Sequence, residues 1–417
     1  MAARRRPRGA TATTAKARWT IAVYMAGDND LDASAYKDLV EMKKVGSTPD
    51  VTVVAQLDSL RAKGCSRYRI TKGSRATLAK DVVKKLGTQN TGDPQGLIDF
   101  MDWVAREAPA DRYLLVLWNH GEGWDDTDIY EAERKTRTRG GRKAEIRHAL
   151  FRTSVQKAKK AVARGGVHTR AILLDDSAKD FLDNIELKKA IVAAHKALGQ
   201  PIDLFGMDAC LMNQAEVAYQ VCNDARVMVG SELTEPTDGW PYDVVLAKLA
   251  RKPQMTAADL AKIIVQEYTA SYRGADVDVT QSAVDLAASP GLARAVSGLA
   301  GALRTGLGNA KTRDAVSLAR LHVQQFDDNL EANVDLGHLC RLLDVAALPK
   351  TIRTAARGVL EALDRAIVAT GRIGTGVSHA SGVAIYFPHR SISPLYANLD
   401  WAKRTTWPAF LRAFCRA

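Results

Sequence analysis

The chain has 417 residues, 46% of them hydrophobic, and a formal net charge of +12; no uninterrupted apolar run approaches the roughly 20 residues that a membrane-spanning helix needs. Such a length exceeds what one hydrophobic core usually serves, so a main domain with a smaller subdomain is expected. The five cysteines, Cys65, Cys210, Cys222, Cys340 and Cys415, are odd in number and widely spaced, and show neither a disulfide framework nor paired metal ligands.

In chain order, residues 1–18 read as a basic flexible tail, positive at its start but without the apolar core of an export signal or a lipidation motif. That favours a cytoplasmic protein and leaves secretion open. A first strand is predicted over Trp19 to Met25, a helix over Ala33 to Val45, a second strand over Val51 to Leu57 and a short ribbon near Tyr68 to Ile70. A helix then starts at Asp93-Pro94, with Asp93 as N-cap and Pro94 at the first helical position, and runs to about Ala105. The third long strand leads to His120. After it come a short apolar run at Ile172-Leu173-Leu174, a helix over Asn184 to Leu198, and a fourth strand leading to Cys210. Alternation of this kind predicts an α/β fold, a mainly parallel sheet with helices on both faces. Beyond a further strand at Val227 to Ser231 the pattern turns helical, over Ala257 to Tyr272, Pro290 to Leu303 and Thr351 to Ala369. Strands are expected at Val277 to Val284 and Val383 to Phe387. The expected organisation is a catalytic domain over 19–250 and a helical C-terminal subdomain over 251–417, whose strands complete the sheet.

The charge is unevenly placed. Between Arg134 and Arg170 the basic residues Arg134, Lys135, Arg137, Arg139, Arg142, Lys143, Arg147, Arg152, Lys157, Lys159, Lys160, Arg164 and Arg170 face one acid, Glu145. The tail before Trp19 adds six more and no acid. The remaining body is therefore net acidic, which argues against a nucleic-acid-binding role for the protein as a whole. The segment 125–170 reads as a basic linker, or else as a solvated loop or basic helix, since Ile146, Ala149, Leu150 and Val155 show some helical spacing.

Two apolar runs of strand length end at chemically capable residues: Leu114 to Trp118 continues to Asn119-His120-Gly121, and Ile202 to Met207 continues to Asp208-Ala209-Cys210. Reactive groups in open α/β sheets gather at the carboxyl ends of strands. A thiol near its free pKa is only a few per cent thiolate at neutral pH, and a neighbouring imidazole turns it into a usable nucleophile. A lone cysteine or histidine is more often a packing residue; Cys210 stands apart because Asp208 precedes it at a strand end and Asn213-Gln214-Ala215-Glu216 follows as a helix start, which lowers a thiol pKa. No G-x-x-x-x-G-K-[ST] loop follows a predicted strand, which argues against a nucleotide hydrolase.

Trp118-Asn119-His120-Gly121-Glu122-Gly123-Trp124 followed by Met207-Asp208-Ala209-Cys210 resembles the clostripain family of cysteine peptidases, which has a caspase-like fold. The resemblance extends to Trp19 through Asp32, to Ser231-Glu232 through Gly239-Trp240-Pro241-Tyr242, and to Gly382 through Pro388. It implies an endopeptidase with Cys210 as nucleophile and His120 as acid–base partner, with the N–H groups of Gly121 and Cys210 as oxyanion hole. It further implies Asp208 as the acidic group that selects Arg or Lys at P1; Asp238, in the loop ending Gly239-Trp240, is a second acidic candidate at the pocket edge and reads equally well as a turn residue before glycine. Such an enzyme would find cleavage sites in its own linker at Arg134, Lys135, Arg137, Arg139, Arg142, Lys143 and Arg147, giving a monomer of two chains after processing. No cofactor is required, although some relatives use calcium. Asp28, Asn29, Asp30 and Asp32 crowd one turn, yet Ala33 and Leu39 occupy positions where an EF-hand needs glycine and a bidentate acid, so capping of the next helix is the expected role. The competing reading is a catalytically inactive caspase-like module whose basic segment docks on acidic partners or nucleic acid.

Overall fold

Five segments with near-continuous apolar sequence, β1 (Ala17–Gly27), β2 (Val51–Ser59), β5 (Ala110–Trp118), β8 (Ile202–Asp208) and β9 (Ala225–Gly230), lie parallel at the centre of a nine-stranded sheet in the computed structural model. Strands covered on both faces have no solvent side, which is why their sequences do not alternate. The structure describes residues 16–121, 124, 172–175, 177–178, 180–326 and 332–416. Beyond β2 the sheet continues antiparallel through β3 (Gly64–Arg69) and β4 (Val82–Gly87). Beyond β9 it continues antiparallel through β10 (Val279–Asp285) and β12 (Ile367–Ile373). The strand order is β12-β10-β9-β8-β5-β1-β2-β3-β4. From β1 the chain first moves outward to β2 and later returns to β5 on the other side, so the topological switch lies between β1 and β5. A crevice opens at the carboxyl ends of the strands at such a point.

Successive residues of each central strand feed opposite faces. Ala22, Tyr24, Leu115, Leu117, Phe205 and Met207 pack under α2 (Pro94–Glu107), α3 (Asn184–Leu198) and α4 (Ala215–Val221). Ile21, Val23, Leu114, Val116 and Leu204 pack under α1 (Asp32–Val45), α5 (Tyr242–Arg251) and α6 (Ala257–Ser271). The local signals that start these helices are visible: Asp93 accepts from the Gln95 N–H, and Asp183 forms a reciprocal capping box with Glu186.

A third core gathers the C-terminal elements α7 (Ser289–Gly306), α8 (Ala310–His322), α9 (Leu336–Val345), α10 (Lys350–Ala366) and α12 (Trp407–Phe414). The short α11 (Asp400–Arg404) adds Trp401 to it. Two expectations are corrected here. The helix expected to reach Ala369 ends at Ala366, because Ile367 and Val368, β-branched residues that favour extended chain, begin β12 against β10. The run at Val383 to Phe387 yields β13 (Ala384–Tyr386), which pairs with β11 (Asn333–Asp335) in a separate two-stranded sheet and does not extend the main one. Likewise β6 (Ile172–Asp175) pairs with β7 (Asp180–Leu182) as a small hairpin. The tail up to residue 15 and the basic segment, with Arg134, Lys135, Arg137, Arg139, Arg142, Lys143 and Arg147, lie outside the described residues.

Candidate active site

Trp118 at the end of β5 stands opposite Asp208 at the end of β8 in the parallel register. His120 and Cys210 each follow two residues after this pair. The Asn119 N–H donates to the Asp208 carbonyl at 3.3 Å, carrying the ladder one step past the strands. Asn119 also donates through its side-chain amide to the carbonyl of Ala26 on β1, which ties the loop to the switch-point crevice. At Gly121 the two loops meet: a Cβ there would lie 2.5 Å from the Cys210 carbonyl oxygen and 3.1 Å from the Ala209 Cβ. Only a residue without a side chain permits that approach. We expect Gly121→Ala to shift the denaturation midpoint downward, by about 1–3 kcal/mol as overpacking usually costs; an unchanged midpoint in urea unfolding would show that the contact has slack.

Cys210 sits in a turn, and its Sγ accepts the Glu235 N–H at 3.3 Å. The helix expected immediately after it begins only at Ala215, and Leu211, with φ of 60°, turns the chain away first, so the helix N-terminus does not act on the thiol. The backbone N–H of Glu235 is the donor that reaches the sulfur instead. Burial pushes the thiols of Cys65, Cys222, Cys340 and Cys415 up from their ordinary value, which keeps all four in the unreactive form.

The His120 Nε2 lies 2.8 Å from the Asp30 Oδ1. That bond is the main reason the Asp30 carboxyl is held below the usual range. The sequence places Asp30 in a crowded turn with Asp28, Asn29 and Asp32, where nothing local ties it to the histidine. The turn in fact points its polar groups in different directions. Asp28 accepts from Ser177 at 2.9 Å, the Asn29 amide donates to the Ala26 carbonyl at 2.9 Å, and Asp32 accepts from Ser59 at 2.6 Å and pairs with Arg61 at 3.1 Å. None of these side chains caps α1, whose N-cap position is Leu31. The available signal for Asp30 was positional: β1 neighbours β5, so its carboxyl end faces the histidine loop.

Asp208 is 5% exposed, and its Oδ2 accepts the Tyr242 hydroxyl at 2.8 Å and the Trp240 N–H at 3.4 Å. Burial raises its carboxyl to about 6, against the hydrogen bonds that favour the ionised form. Glu235, which no sequence argument singled out, lies beside it. Its Oε1 accepts from Gln281 at 3.1 Å, and its carboxyl is hydrogen-bonded to that of Asp208, which requires a proton between them. Burial, then the Asp208 charge, holds Glu235 well above the ordinary range, so of the two carboxyls Asp208 ionises the more readily. Asp38, bonded to the Trp118 indole N–H at 2.7 Å, is raised to about 9 by burial and by Asp208. Asp238 stands apart from this group. Its side chain is 72% exposed and pairs with Lys37 at 2.6 Å. Trp124 and Trp240 are both 1% exposed and serve the core: Trp124 packs on Tyr386 and Tyr396, and Trp240 fills the space that Gly206 leaves.

The sequence signature of the clostripain family runs through residues 23–139 and 157–413. The chain belongs to the clostripain family. Clostripain of Hathewaya histolytica is 27% identical in an alignment 255 residues long that covers 55% of this chain and 42% of that protein, so the match spans less than half of the relative. Among solved structures, an inactive zymogen protease from Parabacteroides distasonis is similar with a TM-score of 0.66 at 20% identity, over 94% of this chain and 98% of that one. A secreted cysteine protease from Bacteroides thetaiotaomicron, in complex with an irreversible peptide inhibitor, is similar with a TM-score of 0.64 at 19% identity, over 94% and 99% of the two chains. At that identity the likeness establishes the shared caspase-like fold. In this clostripain-family chain the match is interrupted over 140–156, inside the basic segment.

Proposed function

We propose that the protein is a cysteine endopeptidase that cuts after Arg or Lys through Cys210 and His120. The observation that carries this reading is the in-register pair Trp118 and Asp208, which delivers a histidine and a cysteine at equal offsets from adjacent parallel strands, with Gly121 closing the gap. Cys210 attacks the scissile carbonyl carbon as thiolate, and the C–S bond forms as the carbonyl π electrons move to oxygen. The N–H groups of Gly121 and Cys210 receive that oxyanion, a role often worth a few kcal/mol. The collapsing intermediate breaks the C–N bond, and the imidazolium of His120 gives its proton to the leaving amine. His120 then takes a proton from water as the water oxygen attacks the thioester, which releases the carboxylic acid and restores the thiol. Asp30, bonded to Nε2, holds the ring for both transfers.

Selectivity for a cationic P1 side chain rests on the negative charge of Asp208, with the Glu235 carboxyl beside it, since a guanidinium or ammonium brought into a desolvated site needs a fixed partner. Asp238 supplies a second, exposed acid at the rim. In the intact chain Gly239, Trp240 and Tyr242 cover Asp208, so entry of a P1 side chain requires the 235–242 loop to move. Cutting the basic linker is the proposed trigger. Intact mass of freshly purified protein over hours tests this: the wild type should pass from one chain to two, cut between residues 134 and 170 and held together by the sheet. The Cys210→Ala protein should stay whole until active enzyme is added. A wild type that hydrolyses Arg peptides rapidly while remaining one chain would contradict processing.

A further inference from the structure

The chain that covers Cys210 and Asp208 is a short, partly exposed span between two fixed ends. On the incoming side Thr280 pins it as it leaves β9: the Thr280 hydroxyl accepts the N–H groups of Glu232 and Leu233, each at 3.1 Å, and bonds to the Ser231 hydroxyl at 3.0 Å. On the outgoing side Trp240 and Tyr242 are buried in the core where α5 begins. Between these anchors Thr234, Thr237 and Asp238 are exposed, and Glu235, Pro236 and Gly239 are half-buried. The Gly239 N–H closes a turn on the Pro236 carbonyl at 3.0 Å, and Gly239 has a φ of 56°, in the left-handed region that favours glycine. A Cβ there would lie 3.0 Å from the Asp208 Oδ1, so the span rests directly on the acid. It rests on the thiol as well. Glu235 gives its N–H to Sγ at 3.3 Å, and its carbonyl oxygen lies 3.9 Å from the same sulfur.

One charged contact ties the tip of this span to the body. Asp238 meets Lys37 of α1 at 2.6 Å, while the Tyr272 hydroxyl donates to the Gly239 carbonyl at 3.1 Å. Two turns further along α1, Lys44 pairs with Asp243 at 2.6 Å, but that pair lies past the Trp240 anchor and does not touch the span. We infer that residues 234–239 are a flap over Cys210 and Asp208, and that the Lys37–Asp238 ion pair is its latch. What the flap admits rests on the peptidase reading; the flap and its latch do not. A peptide must lift the flap to bring its carbonyl to Sγ, and a cationic side chain arriving at the rim competes with Lys37 for Asp238. The latch side chains are 49% and 72% exposed, so the pair holds weakly and is screened by salt. It biases the flap towards closure and does not block it outright.

Amide exchange and thiol alkylation read the flap whether or not the chain cuts peptides. In full-length Cys210→Ala protein, Lys37→Met should speed exchange of the 234–239 amides by about two- to fivefold, the range that one exposed pair permits, and leave β8 and β9 unchanged. In uncut protein that retains Cys210, iodoacetamide should label that thiol faster by a similar factor, as followed by peptide mapping. Lys37→Glu combined with Asp238→Lys should restore both rates, and Lys44→Met should keep them at the parental value. Raising sodium chloride to about 0.5 M should speed the parent and leave Lys37→Met as it is. Parental rates in Lys37→Met, or equal opening by Lys44→Met, would overturn the latch. Faster exchange in a protein that never turns over Arg peptides would uphold the latch and remove the peptidase reading instead.

Discussion

Cys210→Ala should lower hydrolysis of Arg-peptide amides by roughly four orders of magnitude or more, and His120→Ala by a similar factor, because members of a nucleophile–base unit fail together. Both residues lie past strand ends and neither is fully buried, Cys210 packing at the margin of a small cluster with Leu211 and Phe326, so the urea midpoints should stay within about 1 kcal/mol of wild type. Asp30→Asn separates positioning from chemistry. It should reduce kcat by roughly 10–1000-fold with little change in KM, since the ring loses its orientation but the substrate pocket is untouched. Steady-state kinetics on one fluorogenic Arg substrate measure all three. Substantial turnover by Cys210→Ala would remove the proposed nucleophile, and unchanged kcat in Asp30→Asn would leave the histidine oriented by substrate alone.

The second large effect is expected at Asp208. Asp208→Asn should cost about 2–5 kcal/mol in recognition of Arg and Lys substrates, the usual loss when one side of a desolvated charge pair is removed. That is roughly 30-fold to several-thousand-fold in kcat/KM. Glu235→Gln should weaken recognition less, because Asp208 ionises the more readily of the two. Stability should move the other way. Burial raises the Asp208 carboxyl from its ordinary 3.8 to about 6, so the folded protein holds a proton that the unfolded chain has already released. Wild-type stability therefore falls as pH rises through that window, and Asp208→Asn lacks this part of the fall. Above pH 6 the variant should be the more stable protein and the poorer enzyme. Equal P1 preference in wild type and variant would move the cation-binding group elsewhere, with Asp238 next to test.

The strands that carry the chemistry were legible because they are buried on both faces: Leu114 to Trp118 and Ile202 to Met207 could hardly be anything else. The helix starts at Asp93-Pro94 and Asn184 were equally plain, the first from local capping chemistry and the second from its apolar spacing, with the Asp183 cap added by the structure. The C-terminal part was read poorly for a physical reason. Ile367 and Val368 continue the apolar spacing of α10, and only pairing with β10 decides that they are strand. Side-chain partnerships across the sheet were beyond sequence reasoning too. Nothing local distinguishes Asp30, which holds His120, from Asp28 and Asp32 beside it, and nothing marks Glu235 as the partner of Asp208 until the loop after β9 is folded over Cys210. The same crowded turn suggested metal ligation and helix capping. Its acids instead divide between the histidine, an arginine and a carboxylate cluster whose other members come from β2 and β6.

The central claim is that one thiol, Cys210, is the nucleophile at an Arg- or Lys-selective site. Treating the full-length protein with an Arg-terminated peptide that carries a thiol-reactive acyloxymethyl ketone, then mapping the adduct by tandem mass spectrometry, tests it most directly. A single adduct on Cys210, blocked by excess Arg substrate and lost in His120→Ala, is the predicted result. Labelling of Cys222 or Cys415 at an equal rate, or an unlabelled Cys210 in protein that turns over Arg peptides, would contradict it.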